Sequence, residues 1–391
     1  MRISLPNSVW LLTAGAFFAF FVFGFSDNLK GPVLPALLED VKISYASGGT
    51  ILMGLYLGFM VATLVTGFMA DAFGHKWVLV LAGVALAVGA FGFSNAGTTL
   101  WLSVWMVVLG FGLGSIELGG NALVVLLRPV GTARYLNLMA VMHGLGAMIA
   151  PLFVGWLLSG GTSWRTVYLW DLGLACGLIV LFLTARFPRR DVAHQPKVDL
   201  KQLSLTAFSP RILPFYFALL IYVAIELGIA SWMVEYLQKI RGQSVNESTQ
   251  ALSVFFGFVM VGRFVGSFVV ERTGYLRSVL VAALAASACV AGALYGPAEV
   301  WWLLPGSGLF LSIIFPTVTA EVSSTHSGNL NTILGMLFTF AGLGAILGPW
   351  LIGIASDVVG LQMGFSLNLV FGLLTAVSAF WLLRAKTRRT I

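Results

Sequence analysis

Met106-Val-Val-Leu-Gly-Phe-Gly-Leu-Gly-Ser-Ile-Glu117-Leu-Gly-Gly-Asn121-Ala-Leu-Val-Val-Leu-Leu127 is an apolar, glycine-rich run broken by one carboxylate and one amide. Its length and composition are those of a membrane-crossing helix. In lipid the backbone must satisfy its own polar groups, so the run is helical. An acid at that depth costs about 2.5–3.5 kcal/mol even on the lenient insertion scale, so Glu117 marks a pathway or a site. Asp27 interrupts the first apolar run in the same way. Two such acids point to a protein that moves something polar.

The rest of the chain repeats the pattern. Of its 391 residues, 59% are hydrophobic and 9% charged, with 45 glycines. Apolar runs fall at roughly 9–37, 48–70, 77–95, 99–127, 135–159, 165–186, 211–238, 249–271, 276–296, 299–321, 330–355 and 361–384. The expected fold is therefore an all-α membrane protein of twelve transmembrane helices. The glycines suit helices that approach closely in lipid. The run beginning near Trp10 continues without a small-residue cleavage site, so it is expected to be the first helix and not a removable signal. Cys176 and Cys289 lie in apolar runs and are expected to be buried small hydrophobes.

The only sizeable polar stretch, within Phe187–Lys201, separates six runs from six. The expected organisation is an N-terminal six-helix bundle at 1–186, a cytoplasmic linker at 187–210 and a C-terminal six-helix bundle at 211–391. With both termini cytoplasmic, all but five of the 22 basic residues (Lys30, Lys42, Arg165, Lys239 and Arg241) fall on the inner side. The net charge of +7 is thus accounted for by topology in an inner membrane and not by a nucleic-acid partner. Trp101, Trp164, Trp301 and Trp302, near run ends, are expected to be interfacial anchors.

The two halves resemble each other. Gly144-Leu-Gly-Ala-Met-Ile-Ala-Pro151 recurs as Gly342-Leu-Gly-Ala-Ile-Leu-Gly-Pro349, Gly58-Phe59 with Gly67 as Gly257-Phe258 with Gly266, and Asp71-Ala-Phe-Gly74 as Glu271-Arg-Thr-Gly274. The offsets stay between 198 and 200. Parallel repeats of this kind characterise two-bundle transporters.

Gly67-Phe-Met-Ala-Asp71-Ala-Phe-Gly74-His75-Lys76 resembles the signature of the major facilitator superfamily, Gly-x-x-x-Asp-x-x-Gly-basic-basic, with His75 at the first basic position. The resemblance extends over all twelve runs and implies two pseudo-symmetric bundles working by alternating access. An acid at a cytoplasmic helix end can face a helix dipole or a basic neighbour. Gly67, Asp71, Gly74, Lys76 and the repeat mate Glu271, with the helix prolines Pro151 and Pro349, are therefore expected to act in conformational gating.

Within that superfamily the chain resembles the fucose–proton symporter (fucose/galactose/glucose permease) branch. The motifs are Phe23-Gly-Phe-Ser-Asp27-Asn-Leu-Lys-Gly31-Pro-Val-Leu-Pro35, Glu117-Leu-Gly-Gly-Asn121 and Ser312-Ile-Ile-Phe315-Pro316-Thr317. The resemblance implies proton coupling at Asp27 and sugar binding at Glu117. Substrate contacts are also expected from Asn121, His143, Asn28 and Ser312.

Glu117 and Asn121 are one turn apart and offer acceptors and donors suited to hydroxyls. Glu226 is the repeat mate of Asp27, with Tyr222 a turn earlier, and both are candidate binding residues. Phe315 and Trp232 are candidate stacking faces, and Pro316 is a candidate hinge in the tenth run. Lys30 is expected to reach water from the outer end of its helix, and Asp171 to pack peripherally. Counting along the helices leaves open whether Asp27 and Glu117 share a depth.

The chain has no phosphate loop, metal-spaced cluster or nucleophile–base constellation, so neither an enzyme nor a cofactor is expected. The reading is a monomeric secondary transporter in the lipid bilayer that takes a small polar substrate, a sugar or polyol. Its coupling ion is H+, with Na+ as the alternative. A proton-coupled exporter of drugs or metabolites is the nearest rival.

Overall fold

The computed structural model describes residues 6–187, 209–210, 212–325 and 330–390. Among these, twelve helices are long and apolar enough to cross a bilayer: Val9–Val41, Tyr45–Phe73, His75–Asn95, Thr99–Leu127, Thr132–Ser159, Trp164–Thr184, Leu213–Lys239, Val245–Thr273, Tyr275–Tyr295, Ala298–Thr325, Thr332–Val359 and Leu361–Lys386. They are numbered first to twelfth below. Each lies within a few residues of an expected run. The chain divides into two compact units, Met1–Ala193 and His194–Ile391. Most of the expected 187–210 linker lies outside the described residues.

Local chemistry sets the helix ends. Ser44, Thr98 and Ser163 turn their hydroxyls onto amides of the following turn, and Ser244 forms a full capping box with Glu247. The second and eighth helices both end at a glycine with φ of 85°, Gly74 and Gly274, a conformation that disfavours residues with a Cβ. Lys42, with φ of 52°, occupies the position that Gly242 fills with φ of 65° in the second unit. The repeat is thus present in the backbone as well as in the sequence.

Glycines also carry the packing of each unit. A Cβ on Gly146 of the fifth helix would fall on the Phe21 carbonyl of the first, and one on Gly344 of the eleventh would fall on the Leu220 carbonyl of the seventh. In the same way Gly110 meets the Leu55 carbonyl, and Gly308 meets the Phe255 carbonyl. These contacts recur at offsets of 198 to 200. They allow backbones to touch where lipid supplies no hydrophobic drive between helices.

Phe68 and its repeat mate Phe268 are both exposed. Trp101 and Trp302 are exposed near helix ends, as interfacial anchors should be. Trp164 differs from the expectation: it is buried, and its indole donates to Asp40 Oδ2 at 3.0 Å. The Arg165 guanidinium lies over its ring and bonds the same carboxylate. An indole N–H with an acceptor inside the protein has no need of the interface. The cysteine expectation is also corrected, since Cys176 is exposed and Cys289 half-buried. Cys176 sits on the outward stripe of its helix, which composition alone does not identify.

Candidate functional site

The first helix breaks in the middle of the bilayer run, at Asn28 and Leu29. Pro32 lacks the N–H that would bond the Asn28 carbonyl in a continuous helix. Around the break the amides of Asn28 and Leu29 shift to carbonyls three residues back, Phe25 and Ser26, at 3.1 and 3.4 Å. The Asn28 side-chain amide takes over the vacated Gly24 carbonyl at 2.8 Å. Asn28, expected in substrate contact, is therefore engaged in repairing the helix.

Lys30 is only 4% exposed. Its ammonium donates to the Asp27 backbone carbonyl and to Asp27 Oδ1, the latter at 2.7 Å, and lies 5.0 Å from the centre of the Tyr56 ring. The expected extension to water is therefore corrected. A carboxylate, a carbonyl at the break and an aromatic face together replace the ammonium's hydration.

Glu117 lies close to this break. A Cβ on Gly120 of the fourth helix would meet the Phe20 ring of the first at 2.8 Å. The first and fourth helices cross the membrane in opposite senses, so this contact sets Glu117 level with Phe23. Asp27 is then about 6 Å further along the axis. The two carboxylates act on each other electrostatically. Helices of 33 and 29 residues exceed the span they need, which is why counting from their ends could not fix the depth. Glu117 and Asn121 are both half-buried, and neither makes a hydrogen bond or ion pair with another described residue. Beside them, Phe23 meets the His143 ring edge-on at 4.5 Å and stacks on Phe59 at 6.0 Å. The first and fourth helices thus bring Asp27 near Glu117, with His143 reaching Phe23 from the fifth helix and Asn121 a turn further toward the other end of the fourth.

Asp171 was expected at the periphery and is instead 1% exposed, with the Ser26 hydroxyl donating to its Oδ1. The sixth helix turns this residue onto the broken first helix, a rotation that hydropathy does not report. Tyr168, a turn earlier, is buried and feels both Asp171 and Asp27.

In the second unit Glu226 lies beside Tyr222 and within electrostatic reach of Arg263. Arg263 had been grouped with cytoplasmic charges; it sits ten residues before the end of the eighth helix, and that spacing was the available signal. Tyr222 packs 6.5 Å from Phe315, which stacks on Phe338 at 5.7 Å. Trp232 is fully buried, with its N–H on the Pro349 carbonyl at 2.9 Å. Ser312 is buried, bonds the Leu309 carbonyl and packs on Gly262. The tenth helix breaks at Ser312 and Ile313, just before Pro316.

At the signature loop, Lys76 bonds the Leu183 and Ala185 carbonyls at 2.7 and 3.4 Å, capping the sixth helix. Asp71 and Glu271 are exposed, and nothing lies within 4 Å of a Cβ built on Gly67. Pro151 and Pro349 are buried inside their helices. Sequence reading missed Glu321, a 2%-exposed acid held by Lys386 at 2.6 Å. The expected tenth run stopped at 321, whereas the helix continues to Thr325.

A model of the Major Facilitator Superfamily matches residues 16–326, so the chain belongs to that superfamily and is a multi-pass membrane transporter rather than an enzyme. It is similar to the glucose/galactose transporter of Brucella abortus, 24% identical over 374 residues, which covers 90% of this chain and 89% of that one. It is also 23% identical to the L-fucose-proton symporter of Escherichia coli over 336 residues, 76% of each chain. A mutant crystal structure of the nucleoside transporter NupG superposes with a TM-score of 0.81 at 18% identity, covering 97% of this chain and 99% of that one. That likeness is one of fold.

Proposed function

We propose that this chain is a secondary active transporter that carries a hexose-like monosaccharide or polyol together with protons by alternating access. The observation that carries the reading is the pair Glu117 and Asn121, half-buried, one turn apart and without partners among the described residues. Unsatisfied acceptors and donors at membrane depth are costly unless something polar binds them. A sugar offers hydroxyls for both. The relatives named for glucose/galactose and fucose transport support the same class.

Proton coupling is assigned to Asp27. Its charge is held by Lys30 and opposed by Glu117. Protonating Asp27 removes the repulsion on Glu117 and loosens Lys30 from the helix break, which links proton binding to the shape of the first helix. The distribution of basic residues supports an orientation with both termini cytoplasmic, and an inner-membrane monomer completes the proposal.

The test uses purified protein in proteoliposomes. D-galactose, D-glucose and L-fucose are screened by thermal shift with and without Na+, followed by uptake driven by a proton gradient. Stabilisation by a sugar without Na+, and accumulation abolished by Asp27→Asn with exchange retained, is the expected result. Full proton-driven accumulation in Asp27→Asn would remove the coupling role. Dependence on Na+ would replace the ion, and stabilisation by hydrophobic drugs alone would favour the exporter reading.

A further inference from the structure

Asp171 is a buried acid that the proposed cycle does not use. Its Oδ1 accepts the Ser26 hydroxyl, and its Oδ2 is buried with no hydrogen-bond partner. The sixth helix packs against both segments of the first helix and against the third and fifth.

The charged and titratable groups on those elements are engaged elsewhere. Lys30 is held by Asp27, and Lys76 by carbonyls at the end of the sixth helix. Arg165 is on Asp40, and His143 lies against Phe23. Glu39, Asp40 and Arg134 are exposed, His75 belongs to the signature loop, and Tyr135 lies under the Arg128 guanidinium. Tyr168, a turn earlier on the sixth helix, is a buried neutral phenol and supplies no positive charge. No described cation pairs with Asp171.

An ionised carboxylate sealed from water with one oxygen unbonded is the costly arrangement that buried acids avoid by binding a proton. We propose that Asp171 is a proton-binding site of the first unit, carrying a proton on Oδ2 in the conformation described. Ser26 connects that site to the helix break, because its hydroxyl bonds Asp171 while its carbonyl accepts the displaced Leu29 amide. The site adds a second protonatable carboxylate to the one already assigned at Asp27. Its occupancy does not depend on which substrate is carried; only its part in coupling rests on the proton-symport reading.

The test is infrared spectroscopy of the purified, full-length protein near neutral pH. The carbonyl stretch of a protonated carboxylic acid is expected in the parent protein. It should lose one carboxyl's intensity in Asp171→Asn and keep that intensity in Asp27→Asn. A band unchanged in Asp171→Asn overturns the proposal. If that variant fails to fold, Ser26→Ala serves: losing the donated hydrogen bond should raise the band's frequency, and an unmoved band overturns the proposal equally. Neither result involves sugar binding, so a failure here is distinct from a failure of the transport reading.

Discussion

The Lys30 ammonium stands 2.7 Å from Asp27 Oδ1, within a run that crosses the bilayer, and the same ammonium bonds the Asp27 backbone carbonyl. One side chain therefore stabilises both a buried charge and a broken helix. Removing one partner of a buried pair costs about 3–5 kcal/mol, because the other charge is left without compensation. Lys30→Met is expected to lower thermal stability by that order. The double variant Asp27→Asn with Lys30→Met should recover much of the loss. Additive losses in the double-mutant cycle would show that the two residues do not act as a pair.

The glycine contacts divide the repeated motifs into two groups. Gly146 and Gly344 abut carbonyls of the first and seventh helices, whereas Gly67 and Gly342 face open space. Leucine at 146 or 344 should cost more than the roughly 1–3 kcal/mol typical of overpacking, since backbone cannot yield as a side chain can. Folded yield on size-exclusion chromatography should fall sharply for those two and stay near the parent value for Gly67→Leu.

Trp232 offers a direct choice between packing and stacking on substrate. Its N–H bonds the Pro349 carbonyl, and the ring is fully buried. Trp232→Phe should cost about 1–3 kcal/mol, since the buried Pro349 carbonyl loses this donor, with substrate affinity unchanged. A fall in affinity at unaltered melting temperature would mean that the ring meets the substrate.

Lys76 is expected to stabilise the end of the sixth helix. Its charge complements the negative end of the helix dipole and bonds two terminal carbonyls, a contribution of about 0.3–1 kcal/mol. Lys76→Met should lower the melting temperature slightly and leave transport rates near the parent value. A large loss of rate without loss of stability would instead support a gating role.

The twelve helices were legible because hydropathy over some twenty residues is a strong signal, and the repeat was legible in part because some of its glycines, Gly146 and Gly344 among them, are fixed by backbone contact. The chemistry inside the bundle was less so. Asp171 and Lys30 are single letters whose meaning depends on helix rotation and on a break at Asn28, neither of which a hydropathy window resolves. Asp27 and Glu117 were identified as membrane acids, but their proximity came from one packing contact, Phe20 on Gly120. Arg263 could have been found, since a cation well inside an apolar run carries the same signal as an acid. Glu321 was missed because the tenth run was ended one turn early.

Asp27 and Glu226 are repeat mates, and each has a cation near it from a different source: Lys30 three residues on in its own helix, Arg263 from the neighbouring one. The glycine contacts beside them stayed in register between the units. After a duplication, then, the counter-ion of either acid can be exchanged without disturbing a single crossing of helices. The electrostatic surroundings of the two acids can thus diverge while the packing frame of both units is kept.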